Sequence, residues 1–113
     1  MFRGEVRRLN LDPTIGAEMK KTRPIVIVSA DEIGFLPLKV VVPLTDWKDK
    51  YERVVWMTKI FPNAENNLSK ISAVDSFQVR SVSQQRFVER VGKLSESEMT
   101  FIANALASVL NYK

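Results

Sequence analysis

The hydrophobic pattern along the chain changes period once, near its end. Residues 5–11 set Val6, Leu9 and Leu11 among charged side chains, an imperfect alternation that predicts a first strand. Asp12-Pro13-Thr14-Ile15-Gly16 then has turn chemistry, since proline fixes one φ and glycine tolerates a positive one. A polar loop runs on through Lys20-Lys21-Thr22-Arg23. Pro24-Ile25-Val26-Ile27-Val28-Ser29 is β-branched and almost continuously apolar, with proline placed where a strand tolerates it, and predicts a central strand. After a turn at residues 31–34, residues 36–44 predict the next long strand, with Pro43 near its end. Tyr51-Glu52-Arg53-Val54-Val55-Trp56-Met57 predicts a further strand, and residues 58–67, rich in Pro and Asn, a loop. Three shorter strands follow at 70–74, 77–82 and 87–91, closed by Gly92.

Beyond Ser95 the period becomes helical. Ser95-Glu96-Ser97-Glu98 has the spacing of a capping box, in which Ser95 accepts from the third helical amide and Glu98 reaches back. Met99, Ile102, Ala103, Leu106, Val109 and Leu110 then recur at helical spacing. Many short strands and one terminal amphipathic helix predict a mainly β protein, a small antiparallel barrel or strongly bent sheet of SH3-like size. No repeat or linker divides the 113 residues, so residues 1–113 read as a single domain.

Composition narrows the chemistry. The chain is 45% hydrophobic and 27% charged, as an ordinary globular protein is, and its apolar runs are far short of a membrane span. Its N-terminus, MFRGEVRRLNL, has no signal-peptide apolar region, which argues for the cytoplasm. There is no cysteine, so disulfides and thiolate metal sites are excluded. There is no histidine either, which removes Ser-His-Asp, Cys-His and two-histidine ribonuclease mechanisms and leaves any metal site to carboxylates alone. No metal or other cofactor is expected. A formal charge of +4 tilts the choice of partner toward a polyanion.

Two residues stand out. Arg23 precedes Pro24, and the pre-proline position is held extended, so its guanidinium leaves the sheet in a restricted direction suited to bidentate phosphate binding. Taken alone, an arginine at a strand start is more often a solvated surface charge. Thr45 follows Val42-Pro43-Leu44 at the end of the other long strand, where its hydroxyl could donate to a phosphate oxygen or simply cap a turn before Asp46.

The runs Arg3-Gly4-Glu5-Val6, Leu11-Asp12-Pro13-Thr14-Ile15-Gly16-Ala17-Glu18, Arg23-Pro24-Ile25-Val26-Ile27-Val28-Ser29 and Val42-Pro43-Leu44-Thr45 resemble the signature of the MazF/PemK (Kid-like) toxin endoribonucleases. Asp75-Ser76-Phe77-Gln78-Val79-Arg80-Ser81-Val82, Arg86 and Val91-Gly92-Lys93-Leu94 are similar to that family's penultimate region, so the resemblance runs nearly end to end. It implies the CcdB/Kid/MazF-type barrel with its helix, a homodimer, and metal-independent, sequence-specific cleavage of single-stranded mRNA. It also implies inhibition by a cognate antitoxin. The catalytic Arg and Thr of the family fall on Arg23 and Thr45, and a loop carboxylate that some members carry falls on Glu18. The family often has Ser or Thr directly after the catalytic Thr, whereas Asp46 and then Trp47 follow here, and Met19-Lys20-Lys21-Thr22 replaces a Gln-x-Gly-like stretch.

On this reading Lys20, Lys21, Lys48 and Arg80 are candidates for phosphate contacts, each equally able to be a solvated charge. Trp47 would stack on an unpaired base or cover the barrel end, Gln78 would read a base edge or serve the sheet, and Trp56 belongs to core or interface. Two rival functions remain open at this stage: a CcdB-like poison of DNA gyrase and a non-catalytic RNA-binding module.

Overall fold

The protein's computed structural model describes residues 1–11 and 22–112. Among them seven strands and one helix occur: β1 (Glu5–Asn10), β2 (Thr22–Ile27), β3 (Leu38–Asp46), β4 (Met57–Ile60), β5 (Ser72–Asp75), β6 (Arg80–Ser83), β7 (Phe87–Lys93) and α1 (Glu96–Val109). All pairings are antiparallel, in the order β4-β5-β3-β2-β1-β7, with β6 added on β3. The mainly β architecture with its terminal helix is the one the sequence predicts.

β3 is the hub. Its nine residues pair with β6 over Leu38–Val41, with β2 over Val41–Pro43 and with β5 over Leu44–Asp46. Pro43, which has no N–H to donate, sits where one set of partners gives way to the next.

The unbroken apolar run of β2 has a plain cause: both of its faces are covered. Val26 joins Val6, Val42, Leu44, Ile60 and Val74 in the main core, roofed by Met99 and Ile102 of α1. Ile25 and Ile27, on the opposite face, join Leu9, Val41 and Val82, with Phe87 against them. Burying one such side chain fully stabilises the fold by about 1.5–3 kcal/mol. The two clusters together bury β2 and β3 on both faces.

The capping box forms as predicted: Ser95 Oγ accepts from the Glu98 amide at 3.2 Å and Glu98 Oε1 accepts from the Ser95 amide at 2.8 Å. The inward face of the helix is Met99, Ile102 and Ala105, whereas Ala103 and Leu110 are exposed. None of the described helices is long and apolar enough to cross a membrane.

Two predicted strands are corrected. Residues 51–56 are not a strand: Asp49–Tyr51 is a 3₁₀ turn, and the Val54 and Met57 amides donate to the carbonyls of Tyr51 and Val54, each at 3.0 Å. Local turns thus satisfy the backbone, leaving Val55 exposed and Trp56 outside any strand, its ring 5.3 Å from that of Phe77. The strand starts at Met57 instead and runs into the segment predicted as loop. Phe77 and Gln78 likewise lie in a 3₁₀ turn, where Asp75 Oδ1 accepts from the Phe77 amide at 3.1 Å, so β6 starts only at Arg80.

Candidate functional site

Two prolines stand where the ladder between β2 and β3 stops. The β2–β3 ladder runs from Ile27↔Val41 to Ile25↔Pro43 and goes no further. Pro24, with no N–H to give, stands where the next pair would fall, and Leu44 pairs with Val74 of β5 instead. Arg23 and Thr45 each lie two residues beyond that last pair, and both line a cavity of about 430 Å³. The predicted pair is therefore brought together, by strands from different parts of the chain.

Arg23 is extended in β2 opposite Leu9, as its pre-proline position demands. Among the described residues its guanidinium makes no ion pair or hydrogen bond, so its fork of donors is left for a ligand. Arg8, whose Nε stands 3.3 Å from Glu89 Oε1, and Lys70 line the same cavity, and among the described residues its one lining carboxylate is Asp46, 3.6 Å from Lys70 Nζ. With Arg8 and Lys70 each beside a carboxylate, the unpaired Arg23 is the group that suits an anionic ligand.

The far wall is residues 67–70, and its shape is dictated by asparagines. Asn66 is fully buried, and its Oδ1 accepts from the amides of Asn63 and Leu68, both at 3.0 Å, while its Nδ2 donates to the Phe61 carbonyl at 2.9 Å. Asn63 Oδ1 accepts in turn from the amides of Glu65 and Asn66. Asn67 follows at φ 56°, a left-handed conformation that asparagine tolerates, and its Nδ2 donates to the Val91 carbonyl of β7 at 3.1 Å. The Lys93 amide donates to the Glu65 carbonyl at 3.0 Å. This close docking needs Gly92: a Cβ there would stand 2.5 Å from the Glu65 carbonyl oxygen.

Arg23 also faces the other way. It lines a small recess of about 50 Å³ with Leu9, Pro43, Gln78 and Arg80. Arg80 in turn shares a further recess of about 140 Å³ with Asn10 and Arg86. A track of cationic side chains thus leads away from the cavity through Arg23.

The remaining predicted residues fall out unevenly. Gln78 lines the small recess but its amide already donates to Asp75 Oδ2 at 2.7 Å. Trp47 is not brought into the Arg23 cavity: its ring meets Tyr51 edge-on at 5.8 Å and carries Lys59 Nζ 4.8 Å above it. That is the packing role the sequence left open. Lys48 is exposed at the start of the adjoining 3₁₀ turn and does not line the cavity. Glu18, Lys20 and Lys21 lie outside the described residues. Sequence reasoning missed Arg8, Asp46, Lys70 and the asparagine-rich wall. The only signal for the wall was the density of asparagines in Asn63-Ala64-Glu65-Asn66-Asn67, which reads simply as loop.

Comparisons with known proteins bear on the chain as a whole. The chain is 31% identical to the endoribonuclease MazF of Staphylococcus epidermidis, covering 92% of this chain and 86% of that protein. It is 27% identical to the endoribonuclease MazF9 of Mycobacterium tuberculosis, covering 94% and 92%. The fold matches a mycobacterial endoribonuclease in complex with its cognate antitoxin at a TM-score of 0.77, with 20% identity over 100% of this chain and 97% of that one. It matches a MazE–MazF complex from Deinococcus radiodurans at 0.73, with 20% identity over 100% and 98%. The model of the PemK-like, MazF-like toxins matches residues 2–110. With almost its whole length so accounted for, the chain belongs to the PemK-like, MazF-like toxin family of type II toxin–antitoxin systems.

Proposed function

We propose that this protein is a toxin that cuts single-stranded mRNA at specific sequences without a metal ion, and that Arg23 and Thr45 carry the reaction. The observation that bears most weight is the meeting of those two side chains at the double-proline gap, in a cavity lined by three cations. In the proposed step the ribose 2′-oxygen attacks the adjacent phosphorus. The 2′-O–P bond forms, the P–O5′ bond breaks, the 2′ proton leaves and the 5′ oxygen gains one. The products are a 2′,3′-cyclic phosphate and a 5′-hydroxyl.

Arg23 serves as a preorganised clamp on the dianionic phosphorane, because a guanidinium remains a donor at physiological pH and is ill suited to act as a base. Thr45 donates to a non-bridging oxygen. Glu18 is the side chain assigned to take the 2′ proton. RNA on either side is held by Lys20, Lys21 and the track through Gln78 and Arg80, with Lys48 and Trp47 at the periphery.

The proposal extends to partners. A cognate antitoxin with an acidic, disordered segment folds over the cationic groove. The toxin itself is a cytoplasmic homodimer; the exposed apolar run of Ile33, Phe35, Leu36 and Leu38 supports a second copy as the cover.

The test is a defined single-stranded RNA incubated with the protein in EDTA. Cleavage that survives the chelator, leaves cyclic-phosphate ends and disappears in Arg23→Ala supports the proposal. Intact RNA together with trapped gyrase–DNA complexes would overturn it, as would RNA bound but never cut across varied sequences.

A further inference from the structure

A carboxylate is out of place in a cleft built for phosphates. Asp46 follows Thr45 at the end of β3 and lines the same cavity. Its side chain is 67% exposed and its nearest cation, Lys70 Nζ, stands 3.6 Å away with a side chain 69% exposed. Such a solvated pair contributes about 0–1 kcal/mol to stability, so the fold has little need of it. Among the described residues the carboxylate accepts no hydrogen bond, and its one ion pair engages Oδ2 alone. Next to a bound phosphate it is repulsive, and RNA phosphates offer it no donor. Only the ribose hydroxyls and the bases can.

The four bases differ in what they offer. Guanine presents two adjacent donors, N2–H and N1–H, followed by the O6 acceptor. Uracil presents one N–H between two carbonyls, cytosine one amino group beside two acceptors, and adenine one amino group beside one acceptor. A carboxylate offers two adjacent acceptors, and Lys70 Nζ, 3.6 Å from Asp46 Oδ2, adds a donor beside them; two adjacent acceptors complement the paired N1–H and N2–H donors that guanine alone presents. We infer that Asp46, with Lys70 beside it, is a specificity-determining residue that reads an unpaired guanine next to the scissile phosphate. This inference rests on the proposed RNA-cutting function for its setting, and it names part of the substrate.

The experiment uses two readouts on the full chain. In the first, an RNA pool randomised around the cleavage position is cut in EDTA and the ends are sequenced. A fixed oligonucleotide is then compared with its inosine version, which lacks the N2 amino group. The wild type should prefer guanine over uracil at one flanking position by roughly 10- to 100-fold and lose about 5- to 10-fold with inosine. Asp46→Asn should flatten the guanine preference and become indifferent to inosine, and Lys70→Met should weaken it less. In the second, Arg23→Ala, which does not cut, is titrated with the same oligonucleotides by fluorescence anisotropy, alone and combined with Asp46→Asn. If RNA is bound with a guanine preference that requires Asp46 but the wild type never cuts it, the inference stands and the nuclease reading falls. A base profile unchanged by Asp46→Asn, inosine handled like guanine, or no guanine preference in either readout overturns the inference while leaving cleavage intact.

Discussion

Replacing Gly92 with alanine probes the wall of the site without touching any group that would meet RNA. The backbone of Gly92 is not in the left-handed region, so alanine brings no conformational strain. Its cost is purely steric. The added Cβ would lie 2.5 Å from the Glu65 carbonyl oxygen, with Asn66 backbone nearer still, whereas ordinary contact begins at 3.4 Å. The obstruction is backbone rather than a flexible side chain, so residues 63–68 must retreat by roughly 1 Å. Two bonds bridge that gap now, Asn67 Nδ2 to Val91 O and Lys93 N to Glu65 O, each worth about 0.5–1.5 kcal/mol net. Together with an overpacking cost of about 1–3 kcal/mol, the loss comes to roughly 2–6 kcal/mol. That lowers the melting temperature by on the order of 10–30 °C for a domain of this size. The second effect is on turnover, since Asn67 to Lys70 form the wall facing Arg23 and Thr45. A displacement of 1 Å there costs up to about 100-fold in kcat. Urea unfolding and cleavage of a fluorogenic single-stranded RNA below the melting point measure the two losses separately. A Gly92→Ala protein within 0.5 kcal/mol of wild type and cutting at the same rate would refute the idea that this glycine seats the wall.

Other substitutions address the remaining parts. Arg23→Lys keeps the charge but loses the planar fork, and kcat falls roughly 100- to 1,000-fold in single-turnover cleavage; full activity would remove Arg23 from the clamp role. Thr45→Ser retains most of the rate while Thr45→Val loses about 100-fold, and equal rates for the two would show that the hydroxyl is idle. Ser95→Ala removes one half of the capping box and lowers unfolding free energy by about 1 kcal/mol with no change in cleavage, as read from denaturant midpoints. A change in cleavage there would mean that α1 communicates with the cavity.

Much of this molecule is legible in its sequence because local chemistry and tertiary packing agree. The capping box, the pre-proline arginine and the continuous β2 run each have one physical solution, and each adopts it. The failures are equally physical. Residues 51–57 carry strand-forming residues, but four apolar side chains in a row, Val54 to Met57, have no alternation to assign them to a face, and successive turns satisfy the backbone of residues 51–56 instead. The floor of the cavity could be anticipated because Arg23 and Thr45 sit on strands with strong apolar signals. Its wall could not, since the burial of Asn66 depends on Gly92 far along the chain. Trp47 is ambiguous in sequence for a related reason: an aromatic ring beside a cationic site suits stacking or packing alike, and the Lys59 ammonium 4.8 Å above it is supplied by β4.

The order in which the chain is made gives the wall a further meaning. Arg23 and Thr45 emerge early from the ribosome, but β1 pairs with β7 as well as β2, and the Asn67 wall docks on Val91 and Lys93. Vectorial synthesis therefore delivers Arg23 and Thr45 long before the surface that faces them across the cavity. In a nascent chain the cavity has no seated wall, and it closes only when the final strand is released.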